Sequence, residues 1–309
     1  MQKTMSECQV ALSVPDTDNI GDYVQAISIK NFLPPNTILV DRERLAYKGT
    51  FIKPVKLVIN GWFAHNANDV FPVSDMASDI FVIGFHLDHG ARDYFRDMQS
   101  NIWRELSVKI GARDSSTLEY LHKIGYYNSY FSGCPTIHIR PMSQRIGTGL
   151  FPVVVDLPNS VIPAKYLKNA KKLSAMIPGS LSIKEKMELA QKYIDYLYTN
   201  ASILFTSRIH AALPALGMGI PVIFYGDIEN IRLKILTDLG LKAIPFPTGF
   251  PKCDLSRKVW LLVKYISSRS ILFEKAKNIT PMVLDMNYKI SSEADIRKKV
   301  YTFISGNKD

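Results

Sequence analysis

Short runs of Val, Ile, Leu and Phe recur along the chain, each followed by a polar stretch and then by a helical pattern of apolar positions. QVALSV (9–14), VKLVING (55–61), DIFVIGFH (79–86), FPVVVDL (151–157), SILFT (202–206) and IPVIFYG (220–226) are apolar without alternation. A strand with one wet face alternates, so these runs predict strands buried on both faces, as in parallel sheets. SVKIGARD (107–114), LSAMIP (173–178) and a broken SYFSGCPTIHI (129–139) read as further strands. Helical patterns lie between them, at DYVQAISIKNFL, SSTLEYLHKIG, IKEKMELAQKYIDYLYTN and SRIHAALPALGMG. Ser116 with Glu119, Ser182 with Glu185 and Ser292 with Asp295 have the spacing of helix N-terminal caps, and Gly125 that of a C-terminal stop. GFHLDHGARD (84–93) reads as a loop, and 256–304 as helices.

Strand–helix–strand order gives right-handed crossovers and two α/β domains. The expected boundary falls in PMSQRIGTG (141–149), giving an N-terminal domain over 1–148 and a C-terminal one over 149–309, whose last helix has the option of packing back on the first domain. A chain of 309 residues is long enough for two such units, each with its own core. Open parallel sheets bind ligands outside the carboxyl ends of their strands. That rule selects Asn19-Ile20-Gly21-Asp22, Asn60-Gly61-Trp62, Phe85-His86, Gly111–Asp114 and Ser207–His210.

Composition narrows the class. An apolar fraction of 47% and a charged fraction of 21% suit a soluble globular protein, and no run is long enough to span a membrane. No signal peptide is read at the N-terminus. Three widely spaced cysteines fit a reducing cytoplasm and lack zinc-site spacing. Net charge is +10, and residues 251–309 carry 12 Lys+Arg against 6 Asp+Glu. Such a bias suits an anionic partner, either a phosphorylated substrate or a lipid surface, or it is a solvated face without a partner. No nucleic-acid recognition motif is present. SRKVWLLVKYISSRSILFEKAK (256–277) either packs on the second domain or rests on an anionic membrane.

The chemistry concentrates in LFTSRIHAALPALGMGIPVIFYG (204–226). Ser207 is placed to cap the helix after strand 202–206, which puts Arg208 and His210 in its first turn. A cation is unfavourable at that end of the helix dipole unless an anion bridges it to the free N–H groups. Pro214 leaves the carbonyl of His210 without its helical donor. Two readings stay open. Either the pair meets an anion, or Arg208 bonds a carboxylate of the other domain and His210 is a satisfied core histidine.

The same stretch resembles the signature of the polysaccharide pyruvyl transferase family, S-R-[LIV]-H-A-A-L-P-A-L-x-x-G-x-P-V. NIGDYVQAISIKNFLP (19–34), INGWF (59–63) and IGARDSSTLEYLHKIGYYNSYFSGCPTIHI (110–139) are similar to its earlier motifs, with Ala112 where a cysteine is common. The resemblance spans roughly residues 10–226. It implies a fold like that of GT-B glycosyltransferases, with two Rossmann-like domains facing across a cleft. It implies transfer of the enolpyruvyl group of phosphoenolpyruvate onto two hydroxyls of a sugar, giving a ketal and phosphate. The acceptor is then a capsule, exopolysaccharide or cell-wall glycan, lipid-linked or smaller. Arg113 and Arg208 match the motif arginines and are expected to clamp the donor's two anionic ends, with Ser207 and His210 beside it. His210 is expected to protonate the methylene carbon.

Asp22 either deprotonates a sugar hydroxyl or caps its helix. Asn19, Gly21, Asn60, Trp62 and His86 are expected on the acceptor side, although Trp62 has the alternative of the core. Asp114 is expected to hold Arg113 in place. His86 and His89 make a weak metal pair, and neither a metal nor another cofactor is expected. The protein is expected in the cytoplasm, with contact at the inner face of the plasma membrane left open. The alternatives are a nucleotide-sugar glycosyltransferase, which the lack of an E-x₇-E pair disfavours, and a silent carbohydrate-binding homologue.

Overall fold

A computed structural model describes residues 9–64, 67–98, 103, 108–144, 150–227, 229–246, 281–282 and 291–306. The expected helix at 256–277 lies outside them. Among the described residues no helix is long and apolar enough to cross a membrane.

The fold is α/β with two parallel sheets. The first has the order β2-β1-β3-β4-β5-β6, from β1 (Gln9–Val14), β2 (Ile38–Asp41), β3 (Val55–Phe63), β4 (Ala77–Leu87), β5 (Ile110–Ala112) and β6 (Tyr130–Phe131). The second has the order β10-β9-β7-β8, from β7 (Phe151–Val155), β8 (Lys171–Leu173), β9 (Ala201–Thr206) and β10 (Val222–Phe224). Every ladder between these strands is parallel. The first sheet's order reverses between β1 and β3, and the second's between β7 and β9. Such switch points splay the following loops apart and leave a crevice for ligands.

Among the described residues the helices are α1 (Ile20–Lys30), α2 (Ala67–Val70), α3 (His89–Met98), α4 (Ser115–Lys123), α5 (Ala164–Leu167), α6 (Ile183–Asn200), α7 (Ile209–Gly217), α8 (Lys234–Asp238) and α9 (Glu293–Ser305). α3 falls where the sequence predicts a loop: strand β4 runs on to Leu87 and the helix opens at His89. Ser182–Glu185 and Ser292–Asp295 both form reciprocal capping boxes. Ser116 does not cap a helix. Asp114, two residues earlier, takes the cap, accepting Thr117 N–H at 3.0 Å. β8 also lies upstream of its expected place. The apolar letters after it are a loop laced to the loop after β1, with Ile20 N–H donating to Ala175 O at 2.8 Å and Ile177 N–H to Asp18 O at 2.8 Å.

The largest apolar cluster is shared by both sheets. It runs from Val10, Leu12 and Val14 through α1 to Ile194 and Leu197 of α6 and Leu213 and Leu216 of α7. Each buried aliphatic side chain contributes roughly 1.5–3 kcal/mol, so the two halves are joined by core. Smaller clusters cover the opposite faces, around Phe63, Phe71, Phe85, Phe95 and Trp103 on the first sheet and Phe205 and Tyr225 on the second. The last helix, α9, lies on the first sheet. Lys56 Nζ donates to the carbonyls of Phe303 (2.7 Å) and Ile304 (3.0 Å), and Phe81 meets Phe303 at 5.5 Å. A cation at the carbonyl end of a helix is well placed for the dipole.

α7 packs tightly at its end. A Cβ on Gly217 would lie 1.8 Å from the carbonyl oxygen of Ile137, so only glycine fits there.

Candidate active site

Asp156 and Arg208 occupy the switch point of the second sheet. Asp156 follows β7 with φ 52°, a left-handed conformation that aspartate tolerates better than most residues. Its carboxylate accepts Arg208 Nε–H at 2.7 Å and Ala175 N–H at 3.3 Å. Arg208 keeps 42% of its side chain exposed, leaving its terminal nitrogens toward solvent. The carboxylate it meets therefore belongs to its own half of the chain. Ser207 does not cap α7. Thr206 Oγ1 accepts Arg208 N–H at 2.9 Å, and Arg208 takes the cap position, where its side chain makes no cap hydrogen bond to the first turn. An uncapped first turn with an arginine beside it is a site for an anion.

His210 follows in that first turn and approaches α1. A Cβ on Gly21 would lie 3.0 Å from His210 Cβ and 3.3 Å from its Nδ1. Gly21 thus serves the close approach of two helix starts, one from each sheet. His210 Nε2 is buried without a hydrogen-bond partner. Burial, then the charges of Arg113 and Arg232, hold its pKa well below the ordinary histidine value, so the ring is neutral at pH 7.

The rim of the first sheet is built differently. His86 Nδ1 meets Asp114 Oδ2 at 2.5 Å, Thr117 Oγ1 donates to Asp114 Oδ1 at 3.0 Å, and Arg113 Nε donates to Asp114 Oδ2 at 3.3 Å. His86 and Asp114 are fully buried and Arg113 is 1% exposed. Burial alone would raise Asp114, but the hydrogen bond from His86 and the Arg113 charge overcome it and lower the carboxyl to about 2. Burial and Arg113 push His86 down to about 4. Neutral His86 therefore donates through Nδ1 to an ionised Asp114, and its Nε2 is left buried without a partner.

The two rims touch at Arg113. Its Nη2 donates at 3.2 Å to the carbonyl of Arg232, which lies in the 3₁₀ turn Ile231–Leu233 after β10. Ser115 of α4 likewise binds Asp238 of α8, through its N–H at 2.7 Å and its hydroxyl at 2.9 Å. The Arg232 guanidinium lies 4.0 Å over the Trp62 ring, and Trp62 Nε1 donates to Asp88 at 3.1 Å. Desolvation and the charge of Arg113 lower the Arg232 pKa.

These placements change several expectations. Arg113 is buried, bonded to the Arg232 carbonyl, and does not stand open as one half of a clamp; of the three arginines here, Arg208 and Arg232 are the accessible ones. Trp62 is half-buried outside the core, with one face under Arg232 where a sugar was expected. Asn60 is 3% exposed and gives its amide to Gln25 O at 3.0 Å, so it fastens β3 to α1. His86 is turned to Asp114 and closed to an acceptor. Asn19 caps α1, accepting Gly21 N–H at 3.2 Å. Asp22 does not cap; it sits in the first turn and accepts Thr17 Oγ1–H at 2.8 Å. Among the described residues, no three His, Cys, Asp or Glu side chains are gathered as metal ligands would be.

Asp156 and Arg232 were not singled out from the sequence. Asp156 carries a weak signal, an acid at the end of an apolar strand run. Arg232 carries none in a chain with 38 Lys+Arg.

The model of the polysaccharide pyruvyl transferase family matches residues 19–227. The chain belongs to that family, whose members transfer pyruvyl groups to polysaccharide. No curated protein matches it. A functionally uncharacterised protein from Klebsiella pneumoniae has a similar structure, with 12% identity over 78% of this chain and 93% of that one and a TM-score of 0.50. A putative UDP-N-acetylglucosamine 2-epimerase from Listeria monocytogenes aligns over 98% of both chains at 10% identity, with a TM-score of 0.45.

Proposed function

We propose that the protein transfers the enolpyruvyl group of phosphoenolpyruvate to two hydroxyls of one sugar in a capsule, exopolysaccharide or cell-wall glycan precursor. The observation that carries this reading is the start of α7, where Arg208 and neutral His210 flank an uncapped helix end at a switch point. Arg208 and the free N–H groups take the donor's anionic end by charge-assisted hydrogen bonds. Buried Arg113 acts through its field and by holding the turn that carries Arg232.

His210 acts as the acid once the donor is bound. Its pKa is low because burial and two arginines disfavour a further positive charge. A polyanion beside those arginines reverses the electrostatic part of that cause and lets the ring take a proton. In the first step a sugar oxygen bonds to the central carbon, its proton leaves to Asp22 or water, and His210 gives a proton to the methylene carbon, making a methyl group. In the second step the other hydroxyl replaces phosphate at the same carbon and gives its proton back to His210, while the proton taken up in the first step by Asp22 or water goes to the departing phosphate. The products are the pyruvate ketal and inorganic phosphate. The arginines supply the positive charge the donor needs, so the scheme calls on no metal. Asn19 and the start of α1 face the acceptor. A cytoplasmic setting follows from a metabolite donor, and contact with a membrane follows if the acceptor is lipid-linked.

The test is phosphate release from phosphoenolpyruvate with a panel of glycosides. Glycoside-dependent release supports the reading. Nucleotide release from a nucleotide sugar, with phosphoenolpyruvate inert, replaces it with glycosyl transfer.

A further inference from the structure

Three arginines from separate elements converge here, and their surroundings differ. Arg113 has Asp114, and Arg208 has Asp156. Among the described residues Arg232 has no carboxylate within ion-pair distance. Its side chain is nevertheless exposed and held in one place. The Trp62 ring lies beneath it at 4.0 Å, and its own carbonyl is fastened by Arg113. Trp62 is anchored in turn by its bond to Asp88. A surface arginine usually gives up considerable side-chain entropy when it is held still. Here it is oriented beside a second, buried cation, a repulsion that the charges of Asp88 and Asp22 offset only in part and that an anion would relieve.

We propose that Arg232, laid on Trp62, is the phosphate anchor of the donor site. This rests on the phosphoenolpyruvate reading and divides the donor between two cations. Arg208 has its Nε on Asp156 and adjoins His210, so it takes the carboxylate beside the carbon that is protonated. Arg232 lies on the exposed side and takes the phosphate, the group that must leave to water. The indole covers one face of the guanidinium and directs its N–H edge at the ligand, as a planar fork requires. Because Arg113 ties the Arg232 backbone to the first sheet, the anchor also connects donor binding to the contact between the two rims.

The test uses the whole protein and inorganic phosphate as probe, by titration calorimetry. Arg232→Met is expected to weaken phosphate binding roughly tenfold to a hundredfold, as loss of a charge-assisted bond does. Arg232→Lys is expected to fall between the two, because charge remains and the fork is lost. In turnover assays the same variants are expected to raise the KM for phosphoenolpyruvate and to lose product inhibition by phosphate in the same order. The thermal midpoint should change little, since among the described residues the guanidinium makes no ion pair and the methionine stem keeps an apolar contact with Trp62. Phosphate affinity in Arg232→Met within twofold of the parent overturns the proposal, even if the KM for phosphoenolpyruvate rises. Phosphate binding that depends on Arg232 in a protein inert toward phosphoenolpyruvate keeps the anchor and removes the donor assignment, so the two claims fail separately.

Discussion

At the carboxyl end of the first sheet, Arg113, Asp114, His86 and Thr117 satisfy one another in a closed, buried network. At the same end of the second sheet, Arg208 and the uncapped start of α7 remain open, with Arg232 exposed beyond β10. Both rims follow from the same topology, a parallel sheet ending at a switch point. What differs is where the carboxylates lie. Asp114 caps a helix from within and draws Arg113 and His86 inward. Asp156 holds only one nitrogen of Arg208 and leaves the rest of the fork available. A closed network is suited to fixing geometry and setting a field, and an open one to meeting a ligand.

Four substitutions or conditions sharpen that contrast. The largest effect is expected on the open side. His210→Ala should lower kcat at saturating donor by about 10²–10⁴, the usual contribution of a positioned acid. Its fold should survive, because Nε2 has no partner to orphan and only the packing of the ring is lost. Equal turnover in the variant would contradict the role of the ring as acid.

On the closed side the expected effect is on stability. Asp114→Ala leaves Arg113 buried without its carboxylate, and removing one partner of a buried pair costs roughly 3–5 kcal/mol. Denaturant unfolding measures it. A loss below about 1 kcal/mol would mean that the network is not a unit.

The pH dependence comes next. His86 is depressed from 6.5 to about 4. The fold therefore keeps the ring neutral while the unfolded chain binds a proton. That contribution to stability is whole above about pH 6.5 and is lost as pH falls toward 4, by about 3 kcal/mol at 1.36 per unit. Asp114, lowered from 3.8 to about 2, adds a further loss below pH 4. His138 and His210 are also lowered and act in the same direction as His86. His86→Gln keeps a donor for Asp114 and should flatten, without abolishing, the fall in thermal midpoint between pH 6.5 and 4. An unchanged slope would remove His86 from the network's acid response. The smallest effect belongs to a surface cap remote from both rims, where Ser182→Ala should cost about 1 kcal/mol and leave turnover unchanged.

Much of this architecture was legible in the residues. β1, β3, β4, β7 and β9 read clearly because strands buried on both faces carry uninterrupted apolar runs. β2 and β8 were harder to read: both are short edge strands, β2 offering only Ile38-Leu39-Val40 and β8 being largely exposed. The helix at His89–Met98 was hidden because His, Asp and Arg dominate it and its strand runs straight into it. At the site, Arg113, Arg208 and His210 were marked by their places after strands and by the family's motif. Their environments were not legible, because burial of Arg113 depends on the turn 231–233 more than a hundred residues away in the chain. Trp62 could not be assigned between core and site for the same reason, since its partner is Arg232.

The central claim is that the open cationic rim binds phosphoenolpyruvate and delivers its three-carbon unit to a sugar. The most direct measurement is mass spectrometry of glycosides incubated with the protein and phosphoenolpyruvate, in parallel with Arg208→Ala. The expected product is heavier by one pyruvic acid less one water, forms with one phosphate per ketal and is lost in the variant. Phosphate release without any gain in glycoside mass, or a product formed equally by Arg208→Ala, would contradict it.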